Sequence, residues 1–235
     1  MEAQIAVAKI RKYATSNSGD TVEVVERPKG GVSVVLADGQ SSGRGAKWTS
    51  VLVVRKVITL LAEGVRDGAA ARAASDSLFT ERGGRVSATL NILSLDMQSR
   101  TLVITRNNPA PAILAFQNGE VRLLDEPSQP IGFYRDTRPV INEVSLQAGL
   151  TCAVFSDGLT HAGKRVGQPM DVMAELTTLL EQEHTARSLA DALLARAMEL
   201  DQNRPVDDIS VVVLQIVRQV GDEVRRMSVR FPLEP

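Results

Sequence analysis

Residues 31–66 read GVSVVLADGQSSGRGAKWTSVLVVRKVITLLAEGVR, and within them the hydrophobic period changes once. Residues 31–37 are β-branched and follow the turn residues Pro28-Lys29-Gly30, which reads as a strand. Over residues 46–66 the apolar side chains recur at Val51, Val54, Ile58, Leu61 and Val65, the alternating three-four spacing of one helical face. Val53, Val57 and Leu60 widen that stripe, so the helix packs deeply or on two sides. Between strand and helix stand Asp38-Gly39 and then Gly43 and Gly45. A strand that ends in an acid, followed by a glycine-rich turn and a helix, is the pattern into which the rest of the chain must fit.

Before this stretch, residues 5–10 and 21–25 are further β-like pieces, parted by Ser18-Gly19-Asp20. After it, residues 69–79 are rich in alanine and predict a shorter helix ended by Glu81-Arg82-Gly83-Gly84. Val86, Ala88, Leu90 and Ile92 alternate with Ser87, Thr89 and Asn91, as in a half-buried strand. Residues 101–105 give another. Residues 112–116 and 121–124 flank Asn118-Gly119, a two-residue hairpin signal. Residues 139–146 and 150–156 predict a second pair around Gln147-Ala148-Gly149. Val172, Leu176 and Leu179 share one helical face, and Leu189, Leu193, Ala197 and Leu200 share another. Residues 209–217 are a nearly continuous apolar run, as in a central strand. Two antiparallel sheets packed face to face, with a pair of helices outside each, would bury every one of these faces. The expected fold is α/β (α+β), a four-layer αββα sandwich forming one domain over residues 1–217. Residues 218–235, which contain Arg218, Arg225, Arg226 and Arg230, are expected as a tail or an added edge strand.

Composition narrows the function. The chain has 235 residues with 27 Lys and Arg against 28 Asp and Glu, a balance unlike that of a nucleic-acid binder or a polybasic membrane ligand. Aromatic residues make up 3%, too few for platforms that stack single-stranded bases. Two histidines, His161 and His184, and one cysteine, Cys152, exclude disulfide frameworks, cysteine-rich zinc sites and two-histidine zinc motifs. A metal, if used, must be held mostly by oxygen. Residues 51–61 are interrupted by Arg55 and Lys56 and fall short of the ~20 apolar residues of a membrane span. The N-terminus lacks the long apolar core of a signal peptide. The expectation is a soluble, cytoplasmic protein with neither nucleic acid nor membrane as partner.

Four segments put an aspartate at the end of a strand beside a glycine or a second acid: Ser18-Gly19-Asp20, Ala37-Asp38-Gly39, Ser156-Asp157-Gly158 and Asp207-Asp208-Ile209. One Asp-Gly is an ordinary turn. If these strands are sheet neighbours, however, the carboxylates converge, repel one another and need neutralising. A hard divalent cation, Mg²⁺ or Mn²⁺, does this best. The glycines after Asp38 do not make a Walker loop, because Lys47 is followed by Trp48 rather than Ser or Thr.

The order and spacing of these segments resemble the metal-dependent PPM/PP2C-type serine/threonine phosphatases, in their bacterial SpoIIE-like branch. The segments are Ser18-Gly19-Asp20, Ala37-Asp38-Gly39-Gln40-Ser41-Ser42-Gly43, Phe155-Ser156-Asp157-Gly158 and Asp207-Asp208-Ile209-Ser210-Val211-Val212, and the resemblance spans residues 3–217. The compact length and Arg106-Asn107-Asn108-Pro109 are most similar to the RsbX type, which acts on the bacterial stressosome. The family fold is an αββα sandwich. The resemblance implies two ions, Mn²⁺ or Mg²⁺. Asp38 would bridge them, with the Gly39 carbonyl on one; Asp20 would bind at one site directly or through water; Asp157 and Asp207 would complete the other. Asp208 would stand outside this set. A water between the cations would attack phosphorus in line, with no phospho-enzyme. Asp38 and Asp157 are thus the implied catalytic residues, substrate-binding residues stay unknown, and the implied substrates are phosphorylated STAS-domain proteins of a stressosome. Two positions depart from the family: Ser41 replaces a glycine, and Gln40 replaces the histidine of eukaryotic relatives. Ser41 alone favours a different class, a catalytically weak module that binds phosphoproteins.

The remaining residues read more plainly. His161 is expected in a solvated loop and His184 as the C-terminal charge complement of a helix. Cys152 lies in an apolar strand and reads as core; core packing is also expected of Trp48, whose alternative is to edge the substrate cleft. Arg44 and Lys47 read as solvated cations of a first helical turn.

Overall fold

A computed structural model describes residues 1–182, 184–218 and 222–233. Two five-stranded antiparallel sheets lie face to face. The first has the order β1-β10-β9-β6-β7, from Glu2–Ile10, Ile209–Val217, Thr151–Phe155, Ala112–Ala115 and Val121–Leu124. The second has the order β2-β3-β4-β5-β8, from Asp20–Glu26, Val32–Gly39, Ala88–Asp96, Thr101–Asn107 and Val140–Ser145. Helices α1 (Gly43–Ala62) and α2 (Asp67–Arg82) cover the second sheet; α4 (Val172–Leu180) and α5 (Ala186–Leu200) cover the first. A short α3 (Asp157–His161), absent from the sequence expectation, follows β9 directly. The fold is the expected αββα sandwich.

Alternation sets the layers. On β3, Val35 and Ala37 face α1 and α2, while Val34 and Leu36 face the other sheet. On β10, Val211 and Val213 face α5, while Val212 and Leu214 face inward. Both faces of these strands are covered, which is why they read as continuous apolar runs. Strand β4 corrects the half-buried expectation for the same reason. Ala88, Leu90 and Ile92 pack on the helices, Leu93 and Leu95 pack between the sheets, and Asn91 is buried with them.

A second correction concerns β8 and β9, which were expected to pair with each other. Instead β8 pairs with β5 and β9 pairs with β10 and β6, so residues 146–150 cross from one sheet to the other. Burial explains the choice. All five residues of β9 are buried and demand a central position, whereas β8 alternates between half-buried and exposed, as an edge strand does. Helix α1 starts three residues before its expected position. Helix α2 runs on to Arg82, where Gly83 adopts φ 61° as its cap. His184 lies beyond the end of α4, immediately before Thr185, the N-cap of α5, so it is no C-terminal complement. Residues 218 and 222–233 carry neither helix nor strand; Arg225 forms an ion pair of 3.2 Å with Glu26. Residues 219–221 and 234–235 of the expected tail lie outside the described residues. No helix among the described residues is long and apolar enough to cross a membrane.

Candidate metal centre

The site begins where the inter-sheet core stops. Two pairs of neighbouring strands, β2–β3 and β9–β10, bury apolar residues between the sheets, and each strand leads to a polar residue at the same end. Along the inward face run Val24, Val22 and Asp20 on β2, and Val34, Leu36 and Asp38 on β3. Leu214, Val212 and Ser210 run along β10, and Cys152, Val154 and Ser156 along β9. Period-two geometry alone carries these polar side chains into the gap between the sheets. Asp20 and Asp38 are direct cross-strand partners in the β2–β3 register.

The first sheet supplies the opposite wall. Asp157 is the first residue of α3, with Ser156 as its N-cap, and Asp207 and Asp208 immediately precede β10. Ser156 N–H donates to the Ser210 carbonyl at 3.0 Å, and Ser210 N–H donates to Ser156 Oγ at 2.9 Å, so the two segments are fixed to each other. Gly158 is a glycine of necessity: a Cβ there would strike the Asp208 carbonyl oxygen. Gly39 likewise lies against the Ala46 backbone, which holds the β3–α1 turn close to the helix.

Asp38, Gly39, Asp157 and Asp207 line one cleft of about 380 Å³ together with Lys12 and Gln40. Ligand-capable atoms of Asp157, Asp207 and His161 lie within 4.8 Å of one another. His161 Nδ1 is 3.9 Å from Asp157 Oδ2, so this histidine sits on the first turn beside the acids rather than in the expected loop. Asp20 does not line the cleft. It lies behind Asp38, fully buried, and neither carboxylate oxygen has a hydrogen-bond partner among the described residues. A larger hollow of about 540 Å³ between Pro109, Pro127 and Arg138 contains no group of acids, so the chemistry belongs to the smaller cleft.

The electrostatics follow from burial. Desolvation, then the charges of Asp20 and Asp157, push Asp38 up to about 10. Burial also raises Asp20, against the opposing pull of Ser210, Lys9 and Ser156, none of which meets hydrogen-bond geometry with its carboxylate. Burial raises Asp207, opposed by the Asp208 N–H that it accepts at 2.9 Å. Lys9 and Lys47 do not screen the carboxylates directly: both ammonium groups donate to the Asp20 carbonyl, at 2.6 and 2.8 Å. Burial lowers both lysines, and the stem of Lys9 remains exposed. Lys47, read from sequence as a solvated cation, is thus a packing strut that also reaches Thr21 Oγ1 at 2.9 Å.

A set of oxygen donors, mutually repelling and partly orphaned, suits a hard divalent cation and little else. Asp208 is used otherwise. Its Oδ1 accepts from Lys12 N–H at 2.8 Å and its Oδ2 from Gly19 N–H at 2.7 Å, tying residues 11–19 to β10. Gln40 is also committed, since its Oε1 accepts from Ser87 N–H at 3.0 Å. Ser41 holds φ 79°, the left-handed turn that the missing glycine would favour, so the loop keeps its shape. Lys12 and Asn108 carried no sequence signal as site residues. Asn108 Nδ2 donates to the Phe155 carbonyl at 3.0 Å, two residues before Asp157. Cys152 is buried and its thiol is pushed up to about 12, which leaves no thiolate nucleophile.

This is the architecture of PP2C-type serine/threonine phosphatases. Residues 28–217 match the family model described as Stage II sporulation protein E (SpoIIE), and the chain belongs to that family. No curated protein matches the chain. Among solved structures, the chain is similar to the PP2C phosphatase domain with a fragment of the regulatory domain of SpoIIE from Bacillus subtilis. The identity is 20%, the TM-score 0.78, and the match covers 92% of this chain and 64% of that one. The S. agalactiae serine/threonine phosphatase is 18% identical, with TM-score 0.71 and coverage of 92% and 100%. RsbX in complex with magnesium is 17% identical, with TM-score 0.69 and coverage of 91% and 94%. This chain therefore spans less than two thirds of the SpoIIE chain it matches.

Proposed function

We propose that this protein hydrolyses phosphoserine and phosphothreonine in proteins, using two divalent cations, Mn²⁺ or Mg²⁺, held in the cleft. The observation that carries this reading is the convergence of Asp38, Asp157 and Asp207 on one cleft with the unpartnered carboxylate of Asp20 directly behind. Asp38 would bridge the ions, with the Gly39 carbonyl beside it. Asp157 and Asp207 would hold one ion, and Asp20 would act on the other directly or through water. Bound there, the cations would neutralise the acids, lower the pKa of a water and draw charge from the phosphoryl oxygens. The chain's own groups do the positioning: the β2–β3 register sets Asp20 against Asp38, and the Ser156–Ser210 bonds set Asp157 against Asp207. Lys12, pinned through its backbone by Asp208, lines the cleft and would offer its ammonium group to a phosphoryl oxygen. Water supplies the oxygen, and the serine or threonine hydroxyl leaves with a proton. Gln40 cannot supply that proton.

The reading extends to phosphorylated STAS-domain stressosome proteins as substrates, on the resemblance of Arg106-Asn107-Asn108-Pro109 to the RsbX type, and to a cytoplasmic setting. The weak-binder alternative loses its one support, because Ser41 keeps the glycine-type turn. The test is hydrolysis of p-nitrophenyl phosphate and of a phosphothreonine protein. Mn²⁺ should be required, EDTA should abolish turnover, and Asp38→Asn should cost at least a hundredfold, roughly 3 kcal/mol of transition-state stabilisation. Activity that survives both EDTA and Asp38→Asn would show that the site is wrongly assigned.

A further inference from the structure

One flank of the cleft has an unusual surface. The Gln40–Ser87 hydrogen bonds bring the β3–α1 turn beside residues 85–89, and the Ala88–Ile131 bridge brings residues 131–135 to the same rim. Around this rim Trp48, Phe133 and Tyr134 are 40, 38 and 64% exposed. The Arg82 guanidinium lies 3.8 Å from the Trp48 ring centroid, and that of Arg135 lies 4.8 Å from the Phe79 ring centroid. Glu81 and Asp136 adjoin these arginines in sequence. Even so, neither Arg82 nor Arg135 makes an ion pair or a side-chain hydrogen bond with the described residues. Asp76 is engaged by the Asp136 N–H at 3.1 Å. Elsewhere exposed arginines such as Arg196 and Arg226 close on neighbouring carboxylates.

A guanidinium laid on an aromatic ring has its plane fixed and its N–H edge free. It is therefore prepared to grip a carboxylate or phosphate in bidentate fashion at little further entropic cost. Exposed aromatics beside it supply the apolar anchors typical of recognition surfaces. We propose that this flank docks an acidic stretch of the phosphoprotein substrate adjacent to its phosphorylated residue, with Arg82 and Arg135 taking its carboxylates and Trp48 and Tyr134 its apolar side chains. The proposal rests on the phosphatase reading and adds the substrate's sequence chemistry to it.

Trp48 is the only tryptophan in the chain and reports on the surface directly. The experiment uses two phosphothreonine peptides, one flanked by glutamates and one by lysines, with p-nitrophenyl phosphate as the probe of the metal centre. With Mn²⁺ the acidic peptide should turn over faster than the basic one and should perturb Trp48 emission in a salt-dependent way. Arg82→Glu and, separately, Arg135→Glu should lower kcat/KM for the acidic peptide about tenfold, chiefly through KM, and should improve the basic one. Turnover of p-nitrophenyl phosphate should change by less than about twofold. If both variants treat the two peptides as the wild type does while p-nitrophenyl phosphate is hydrolysed, docking is refuted and the phosphatase stands. If the wild type hydrolyses nothing, the phosphatase reading fails, and the docking proposal, which rests on it, falls too. A Trp48 change that follows protein concentration without peptide, with a doubled mass in ultracentrifugation, would assign the surface to a second copy and overturn the proposal.

Discussion

Ser41 occupies a backbone conformation that costs an L-residue about 1 kcal/mol and costs glycine almost nothing. Ser41→Gly should therefore raise the melting temperature in EDTA by a few degrees, corresponding to about 1 kcal/mol, and should leave metal-dependent turnover intact. A fall in stability would mean that the serine hydroxyl does something the backbone does not reveal. Gly158 is the opposite case. Gly158→Ala drives a methyl group into the Asp208 carbonyl and must push the start of β10 away from α3. A loss of about 1–3 kcal/mol by denaturant unfolding is expected, with activity falling as Asp207 shifts. The acids themselves were legible in sequence because four strand ends each carry an aspartate beside a glycine or a second acid. The φ of Ser41 and the inward reach of Lys47 were not legible, since both depend on which backbone lies opposite. The place of His161 beside Asp157 was not legible, because α3 is only one turn long and leaves no periodicity to read.

At the scale of elements, strand β9 delivers Asp157 correctly only if its C-terminal end is held. The Arg106-Asn107-Asn108 segment at the end of β5 does this. The buried Arg106 guanidinium donates to the carbonyls of Asn108, Ala110 and Glu126 at 2.8, 3.1 and 2.7 Å. Asn107 reaches the carbonyls of Gln129 and Arg138, and Asn108 reaches that of Phe155. The motif is thus a brace that ties the 125–138 connection to β9, a role that sequence spacing alone does not disclose. Asn108→Ala leaves the Phe155 carbonyl buried and unpaired, at a cost of about 1–3 kcal/mol by denaturant unfolding. Its signature in turnover of p-nitrophenyl phosphate should be a lower kcat with little change in KM, because only the setting of Asp157 is disturbed. An equal rise in KM would argue that Asn108 meets the substrate instead. Strand identities were mostly readable from period two. Partners were not: β8 and β9 adjoin in sequence yet serve different sheets, because burial on both faces outranks proximity in sequence.

At the scale of the molecule, the sandwich keeps an apolar core for most of its thickness and ends it in acids that the fold cannot neutralise by itself. Without cations, Asp38 holds its proton up to about pH 10, whereas in the unfolded chain it releases it near 3.8. The folded state therefore binds more protons across that interval, and the free energy of unfolding falls as pH rises. Asp20 and Asp207, also raised, add to the fall. Lys9 and Lys47, lowered by burial, oppose it only toward the alkaline end, where the unfolded chain is the better proton binder. A cation must displace these protons, so its binding strengthens as pH rises. In EDTA the melting temperature should thus decline between about pH 6 and pH 9, and the increment from saturating Mn²⁺ or Mg²⁺ should grow over the same range. Asp38→Asn removes one repelling acid: its EDTA profile should be flatter and higher than that of the wild type at about pH 8, with a smaller gain from metal. A wild-type profile in EDTA that rises through this range, or an Asp38→Asn protein that gains as much from metal as the wild type does, would mean that Asp38 is not where the fold concentrates its unneutralised charge.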